Sequence, residues 1–506
     1  MSLINDIMGF FIKRRIERID EFRKYPQETQ TEQFEYLIHK AKKTDYGKKY
    51  GFGDIHSFTD FQRQVPVVAY EDLYPYIERV LKGENNVLWP SPIKLFSKSS
   101  GTTNAKSKFL PVSDESLESC HYKGGKDLLT LYLNERPDSG IFEGKGLSIG
   151  GSLMQNPFNP ATQVGDISAI ITENLPQWAE YFRTPPLEVA LLEDWTEKME
   201  RMIEICPGEN LRSIFGVPTW TVVLLEKIME RSGKSNLLEV WPDFEVFIHG
   251  AVNFQPYREL FKTKLFPSSH VNYIETYNAS EGYFGIQDDL SLESEMLLML
   301  DYGVFYEFVP LDELDKDHPK TYTISEVELN TNYALLISTN SGLWRYKIGD
   351  TIKFTSNSPY RIKISGRTKH FINAFGEELI IENAEKGITD ASLITGTRVK
   401  DYTAGPVYME GNKKGGHEWI IECENLPENP QQFILELDLS LKKVNSDYEA
   451  KRKGDLALQL PIVHFVKEGT FYSWMKSRGK LGGQHKVPRL SNNREFLDDL
   501  LKFCMP

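Results

Sequence analysis

Between Ser99 and Thr103 the chain places four hydroxyl side chains, Ser99, Ser100, Thr102 and Thr103, around Gly101, and Lys106 and Lys108 follow within five residues. Such a turn can wrap a polyphosphate. Gly101 lets backbone N–H groups approach an anion closely, the hydroxyls donate to phosphate oxygens, and the lysines offset charge. Residues 93–96 and 109–112 read as short strands, which makes the segment a turn between them. It lacks the spacing of a Walker A loop, because no second glycine precedes Lys106-Ser107. Taken alone, a Ser/Thr/Gly/Asn cluster is more often an ordinary surface turn.

Three further stretches carry residue types suited to the same chemistry. In Glu275-Thr276-Tyr277-Asn278-Ala279-Ser280-Glu281-Gly282 a buried strand delivers Tyr277, Ser280 and Glu281 into a loop closed by Gly282. Tyr277 can stack on a purine, Ser280 can donate to phosphate, and Glu281 is a hard oxygen ligand for a phosphate-bridging Mg²⁺; the plain alternative is a strand-end turn with a solvated glutamate. In Gly342-Leu343-Trp344-Arg345-Tyr346-Lys347-Ile348-Gly349-Asp350 the aspartate after a tight glycine turn can accept both hydroxyls of a ribose, or can serve as a turn residue entering a strand. In Gly482-Gly483-Gln484-His485-Lys486-Val487-Pro488-Arg489 a glycine-preceded lysine can reach another domain's site as a point charge, although most such lysines are solvated surface.

The elements that must position these residues follow from the pattern along 506 residues, roughly three domains' worth of chain. Composition is that of a globular protein: 40% hydrophobic, 12% aromatic and 26% charged. A net charge of −13 argues against a nucleic-acid face, and four scattered cysteines show no metal-ligand spacing. No apolar stretch approaches a membrane span and the start is not a signal peptide, so a cytoplasmic protein is expected. Residues 3–24 have the apolar spacing of an amphipathic helix. Its basic run Lys13-Arg14-Arg15 allows a membrane surface, but the acidic residues beside it favour docking on the protein's own body. A second helix is expected from Thr31 to about Asp45, and others over 70–81, 188–206 and 220–232. Strands are expected at 244–248, 271–274, 295–300, 305–309, 334–339 and 351–354. A composition break at 364–369 marks a boundary. The expectation is an α/β chain with an N-terminal unit, 1–367, and a smaller α+β unit, 368–506.

Together these stretches resemble the acyl-acid amido synthetase family, the auxin-responsive promoter family of plant enzymes that conjugate auxin and jasmonate to amino acids, within the adenylate-forming acyl-CoA synthetase and luciferase superfamily. The resemblance covers nearly the whole chain. It includes Thr44-Asp45-Tyr46-Gly47, Val65-Pro66-Val67 and Tyr70-Glu71-Asp72-Leu73, and four motifs in order. Ser99 to Thr103 looks like the phosphate loop, Tyr277 to Glu281 the adenine-and-metal motif, Arg345 to Asp350 the ribose motif, and Gln484 to Arg489 the C-terminal lysine motif. Ala105 stands where the family often has glycine, and Lys347 and His485 replace the usual arginine and tyrosine.

The resemblance implies a large domain of helix-flanked sheets with a distorted β-barrel, and a C-terminal lid hinged near Gly366-Arg367-Thr368-Lys369. It implies ATP and Mg²⁺ as cofactors, with a carboxylic acid and an amine, from an amino acid, as substrates. Ser99, Ser100, Gly101, Thr102, Thr103, Ala251, Tyr277, Ser280, Tyr346, Asp350 and Arg367 would hold the nucleotide. Glu281 would hold the metal, Lys486 would be the catalytic lysine, and Val217 and Trp220 would border the acyl group. The rival readings are an acid–CoA ligase and a nucleotide-binding protein without turnover. Which acid, which acceptor and which oligomeric state are not legible.

Overall fold

The apolar spacing over residues 3–24 gives α1 (Leu3–Lys24), and Pro26 in the first turn of α2 (Pro26–Ala41) starts that helix before Thr31. The computed structural model describes residues 3–99, 108–252, 254–314, 316, 318–368, 371–409, 414–453, 457–478 and 489–504; Ser100, Gly101, Thr102, Thr103 and Lys486 lie outside the described residues. The helix over 70–81 forms as Tyr70–Leu81. The helix expected over 188–206 divides into Leu187–Ala190 and Trp195–Ile205. Asp194 starts the second by accepting from the Glu197 N–H at 2.9 Å. Pro218 opens the helix Pro218–Ser232, and Gly233, at φ +65°, closes it in the left-handed conformation.

The strands up to residue 367 are β1 (Leu95–Ser99), β2 (Lys108–Val112), β3 (Lys145–Ser148), β4 (Leu153–Gln155), β5 (Gln163–Gly165), β6 (Arg183–Thr184), β7 (Leu211–Phe215), β8 (Val246–Gly250), β9 (Asn272–Ala279), β10 (Gly282–Ile286), β11 (Met296–Leu298), β12 (Val304–Pro310), β13 (Asn332–Thr339), β14 (Tyr346–Asn357) and β15 (Tyr360–Arg367). β1 and β2 are antiparallel, as expected, in a four-stranded sheet ordered β2-β1-β5-β4. The others make one eleven-stranded sheet in the order β12-β13-β14-β15-β11-β10-β9-β8-β7-β3-β6. The run β6-β3-β7-β8-β9 is parallel, and β9 to β12 continue antiparallel. Among the described residues the strands from 296 to 367 therefore do not close into a barrel. The β9–β10 hairpin and the pairing of β11 with β15 carry the antiparallel part on from the parallel part as one sheet.

After residue 367, β16 (Phe371–Ile372) pairs with β17 (Leu379–Ile380), and β18 (Val399–Val407), β19 (Gly416–Cys423) and β20 (Ile462–Lys467) form a separate sheet. The helices Ile381–Thr395 and Pro430–Val444 pack against one another beside it. Buried apolar side chains fall mainly into two clusters. One joins α1 and α2 to the antiparallel strands. The other runs from Leu224 and Phe247 through Ile372, Ala374 and Phe375 to Trp419, so the C-terminal segment shares a core with the helix Pro218–Ser232.

α1 docks on the protein's own body. Ile19 and Phe22 are buried. The Arg15 guanidinium donates to Asp127 at 2.5 and 2.6 Å and to Asp301 at 3.1 and 3.2 Å, and Arg23 donates to Asp288 at 2.7 Å.

Candidate active site

The site is assembled from two hairpins. Ala279 pairs with Gly282, so Ser280 and Glu281 are the two turn residues joining β9 to β10, an arrangement that holds a side chain on a short, stiff connection. In β14 and β15, Asp350 lies directly opposite Arg367, and the cross-strand pair is ionic, with Arg367 Nε 2.7 Å from Asp350 Oδ1. The Tyr277 hydroxyl, from β9, donates to Asp350 Oδ2 at 2.5 Å. Arg367 Nη2 also donates to Glu378 at 2.6 Å, on the C-terminal side of the composition change at 364–369.

Electrostatics reinforce this grouping. Burial pushes the Glu281 carboxyl up to about 7, against the pull of Lys108, and Asp350 adds to the rise. Burial raises the Tyr277 hydroxyl well above its ordinary range, with Asp350 adding to it. His121 and His249 are held neutral: burial lowers the first to about 4 and the second to about 3, where the charge of Arg258 adds to the effect. Ala251, just past β8, is held at φ +69°, a left-handed conformation in which a residue with a Cβ stores strain.

A cavity of about 2150 Å³ joins these groups. Ser99, Lys108, Ala251, Tyr277, Ser280, Glu281, Asp350 and Arg367 line it at one side. Apolar side chains, among them Leu133, Phe142, Phe215, Val217 and Trp220, also line it. The arrangement offers a hard oxygen ligand, a carboxylate with free lone pairs, a cation and apolar wall residues in one continuous space.

Most of the residues singled out in the sequence thus come together, and two observations refine their parts. Tyr346 is fully buried and does not line the cavity; among the described residues its hydroxyl has no hydrogen-bond partner. Arg345 points away from the cavity into the core. It is 3% exposed, donates to Glu307 at 2.8, 3.0 and 3.1 Å, and caps the carbonyls of Gln62 and Val65 at 3.0 and 2.7 Å. The sequence reading passed over His121, Lys198, Glu378 and Lys451. Each sits in a helix or loop whose local pattern gives no sign of the cavity it faces, and only the fold reveals it.

Comparison with known proteins covers most of the chain. Residues 15–271 match the GH3 family N-terminal domain, 297–367 the GH3 family central domain, and 382–495 the GH3 family C-terminal domain. The chain is 25% identical to indole-3-acetic acid-amido synthetase GH3.3 of Arabidopsis thaliana, over 90% of this chain and 87% of that protein. It is 24% identical to 4-substituted benzoates-glutamate ligase GH3.12 of Arabidopsis thaliana, over 88% and 89%. The solved AtGH3.15 acyl acid amido synthetase in complex with 2,4-DB has the same fold, with a TM-score of 0.64 at 18% identity, covering 98% of this chain and 96% of that one. With domain matches running from residue 15 to residue 495, this chain belongs to the GH3 family.

Proposed function

We propose that this protein is an ATP-dependent acyl-acid amido synthetase, which adenylates a carboxylic acid and passes the acyl group to the amine of an amino acid. The observation that carries the reading is the convergence of Glu281, Asp350 and Arg367 in a cavity that Val217 and Trp220 also line. The relatives named above as amido synthetase and ligase support the reaction class.

In the first step an acid oxygen attacks the α-phosphorus of ATP in line. The bond from that phosphorus to the bridging oxygen breaks and pyrophosphate leaves. The protein's part in such a displacement is positioning and charge stabilisation. Asp350 accepts the ribose hydroxyls while Arg367 and Tyr277 hold its carboxylate in place. Ser99, Ser100, Gly101, Thr102 and Thr103 hold the outer phosphates, Ala251 and Tyr277 border the base, and Ser280 donates to phosphate. Lys486 neutralises the charge that builds at the α-phosphate.

Mg²⁺ suits the donor set. Glu281 is one hard carboxylate facing open space, no cluster of three or more His, Cys, Asp or Glu occurs among the described residues, and this ion is commonly held by one or two carboxylates together with phosphates and water. When bound it would supply charge neutralisation on the phosphates. In the second step the amine nitrogen attacks the acyl carbon, the bond to the AMP oxygen breaks, and the nitrogen loses a proton.

Residues 368–506 act as the lid that carries Lys486 to and from the site, hinged near Gly366–Lys369. The four cysteines are unbridged, in keeping with a cytoplasmic location. The test is an acid panel in an ATP–pyrophosphate exchange assay, followed by mass spectrometry of the products with amino acids or CoA as acceptor. Exchange driven by an acid, and an amide product, are expected; a thioester would move the protein to the CoA ligases. Lys486→Ala lowers exchange by orders of magnitude, and an unchanged rate would remove Lys486 from the mechanism.

A further inference from the structure

The cavity holds a second concentration of charge, where the helices Trp195–Ile205 and Pro218–Ser232 meet the C-terminal segment. The Trp195 and Trp220 rings pack with centroids 4.2 Å apart, and each carries a lysine ammonium: Lys198 Nζ lies 5.9 Å over Trp195, and Lys451 Nζ lies 5.5 Å over Trp220. All four residues line the cavity. Lys198 is 2% exposed and donates only to carbonyls, Gly150 O at 3.1 Å and Gly151 O at 2.8 Å; no carboxylate lies within ion-pair distance of it among the described residues. Lys451 is 5% exposed and donates to Gly376 O at 2.8 Å, with Asp447 at 4.0 Å. The Trp195 indole N–H is buried with no acceptor among the described residues.

Buried ammonium groups ordinarily face carboxylates, because carbonyl dipoles offset only part of the desolvation cost. Here that shortfall is visible: burial pulls Lys198 down to about 8. Among the described residues at this corner, Lys198 has no carboxylate within ion-pair distance, Lys451 has only Asp447 at 4.0 Å, and the Trp195 N–H has no acceptor, so the set carries more positive charge than its neighbours offset.

We propose that this corner is a carboxylate subsite, and that in the amide-forming step it receives the α-carboxylate of the acceptor amino acid. The inference rests on the amido synthetase reading above. Activation consumes the carboxylate of the acyl acid, since its oxygen becomes bonded to phosphorus and its charge is lost. The acceptor keeps its carboxylate throughout, and so is the reactant with an anion left to recognise. Lys451 belongs to the C-terminal segment and Lys198 to the N-terminal part, so the subsite is complete only when the two are apposed. The Lys453–Asp194 ion pair, at 3.2 Å, spans the same junction. An acyl acid bearing a second carboxylate is the other source of the same chemistry.

The deciding experiment starts with the unmodified enzyme and the acid most active in exchange. An amino acid is compared with its α-carboxamide as acceptor, and the ratio of kcat/KM should favour the free acid by roughly 100-fold, carried mainly by KM. In Lys198→Gln and Lys451→Gln, each of which keeps a donor, that ratio should fall towards one. Equal use of amino acid and amide by the unmodified enzyme overturns the proposal without any variant. So does an unchanged ratio in both variants while exchange and amide formation still run. If the variants instead lose a preference for dicarboxylic over monocarboxylic acids in exchange, the subsite serves the acyl acid and the acceptor assignment falls. Absence of exchange with every acid overturns the underlying reading, and is distinguishable from all of these.

Discussion

Replacing Asp350 isolates the ribose contact. A carboxylate has about four lone-pair positions. In the structure the Arg367 guanidinium is ion-paired against Oδ1 at 2.7 Å and the Tyr277 hydroxyl donates to Oδ2 at 2.5 Å, so each oxygen keeps at least one position for a ribose hydroxyl. A hydrogen bond to a charged acceptor contributes about 1.5–3 kcal/mol, so the pair contributes about 3–6 kcal/mol and Asp350→Ala should raise the KM for ATP in pyrophosphate exchange by about 10²–10⁴-fold. Removing one hydroxyl from the ligand instead of the acceptor from the protein gives a cross-check: 2′-deoxy-ATP should be used about 10–150-fold less efficiently than ATP by the unmodified enzyme. The two losses share one interaction and so must not add. Asp350→Ala should treat ATP and 2′-deoxy-ATP nearly alike. A variant that still discriminates between them by the original ratio refutes the assignment of Asp350 to the ribose, whatever its overall rate.

Three other outcomes are expected. The Glu281 carboxyl sits at about 7 in the folded protein against an ordinary value of 4.5, so the folded state binds the extra proton between those pH values. Its contribution to stability is therefore fully present below pH 4.5 and is lost as pH rises through 7, and denaturant titrations of Glu281→Gln without nucleotide should lack that limb. Glu307→Gln breaks the buried pair with Arg345, both residues being 3% exposed or less, and should destabilise the protein by about 3–5 kcal/mol in chemical denaturation. Gly342→Ala meets two obstacles: φ is +88°, and a Cβ there would lie 2.7 Å from Leu88 Cβ and 2.8 Å from its carbonyl carbon. A loss of at least about 1–3 kcal/mol should appear in the same assay.

Residue types with a local signature were legible in the sequence. Glu281 after a buried strand and Asp350 after a glycine turn both reach the cavity. The helix Tyr70–Leu81 and the β1–β2 hairpin follow directly from apolar spacing and turn residues. What stayed hidden depends on long-range pairing. Arg345 and Tyr346 share a motif with Asp350, yet one enters a buried ion pair with Glu307 and the other is sealed from the cavity, and the register of β14 on β13 shifts between Lys347 and Thr351, which local sequence does not announce. β15 was passed over even though Tyr360, Ile362 and Ile364 alternate with Arg361, Lys363 and Ser365, and its place beside β14 and β11 is set by long-range pairing. Lys198 sits on a helix whose polar positions look solvated, and only the cavity opposite shows why its charge is inside.

The ionic moorings of α1 bear on the order in which the molecule can be made. Arg15 must wait for Asp301, 286 positions later, and Arg23 for Asp288, 265 positions later. During synthesis this early helix therefore emerges long before its carboxylate partners exist, with Ile19 and Phe22 uncovered. Loop closure over such distances is slow and leaves apolar surface open to aggregation meanwhile. The seating of α1 therefore reports that the antiparallel half of the great sheet has arrived.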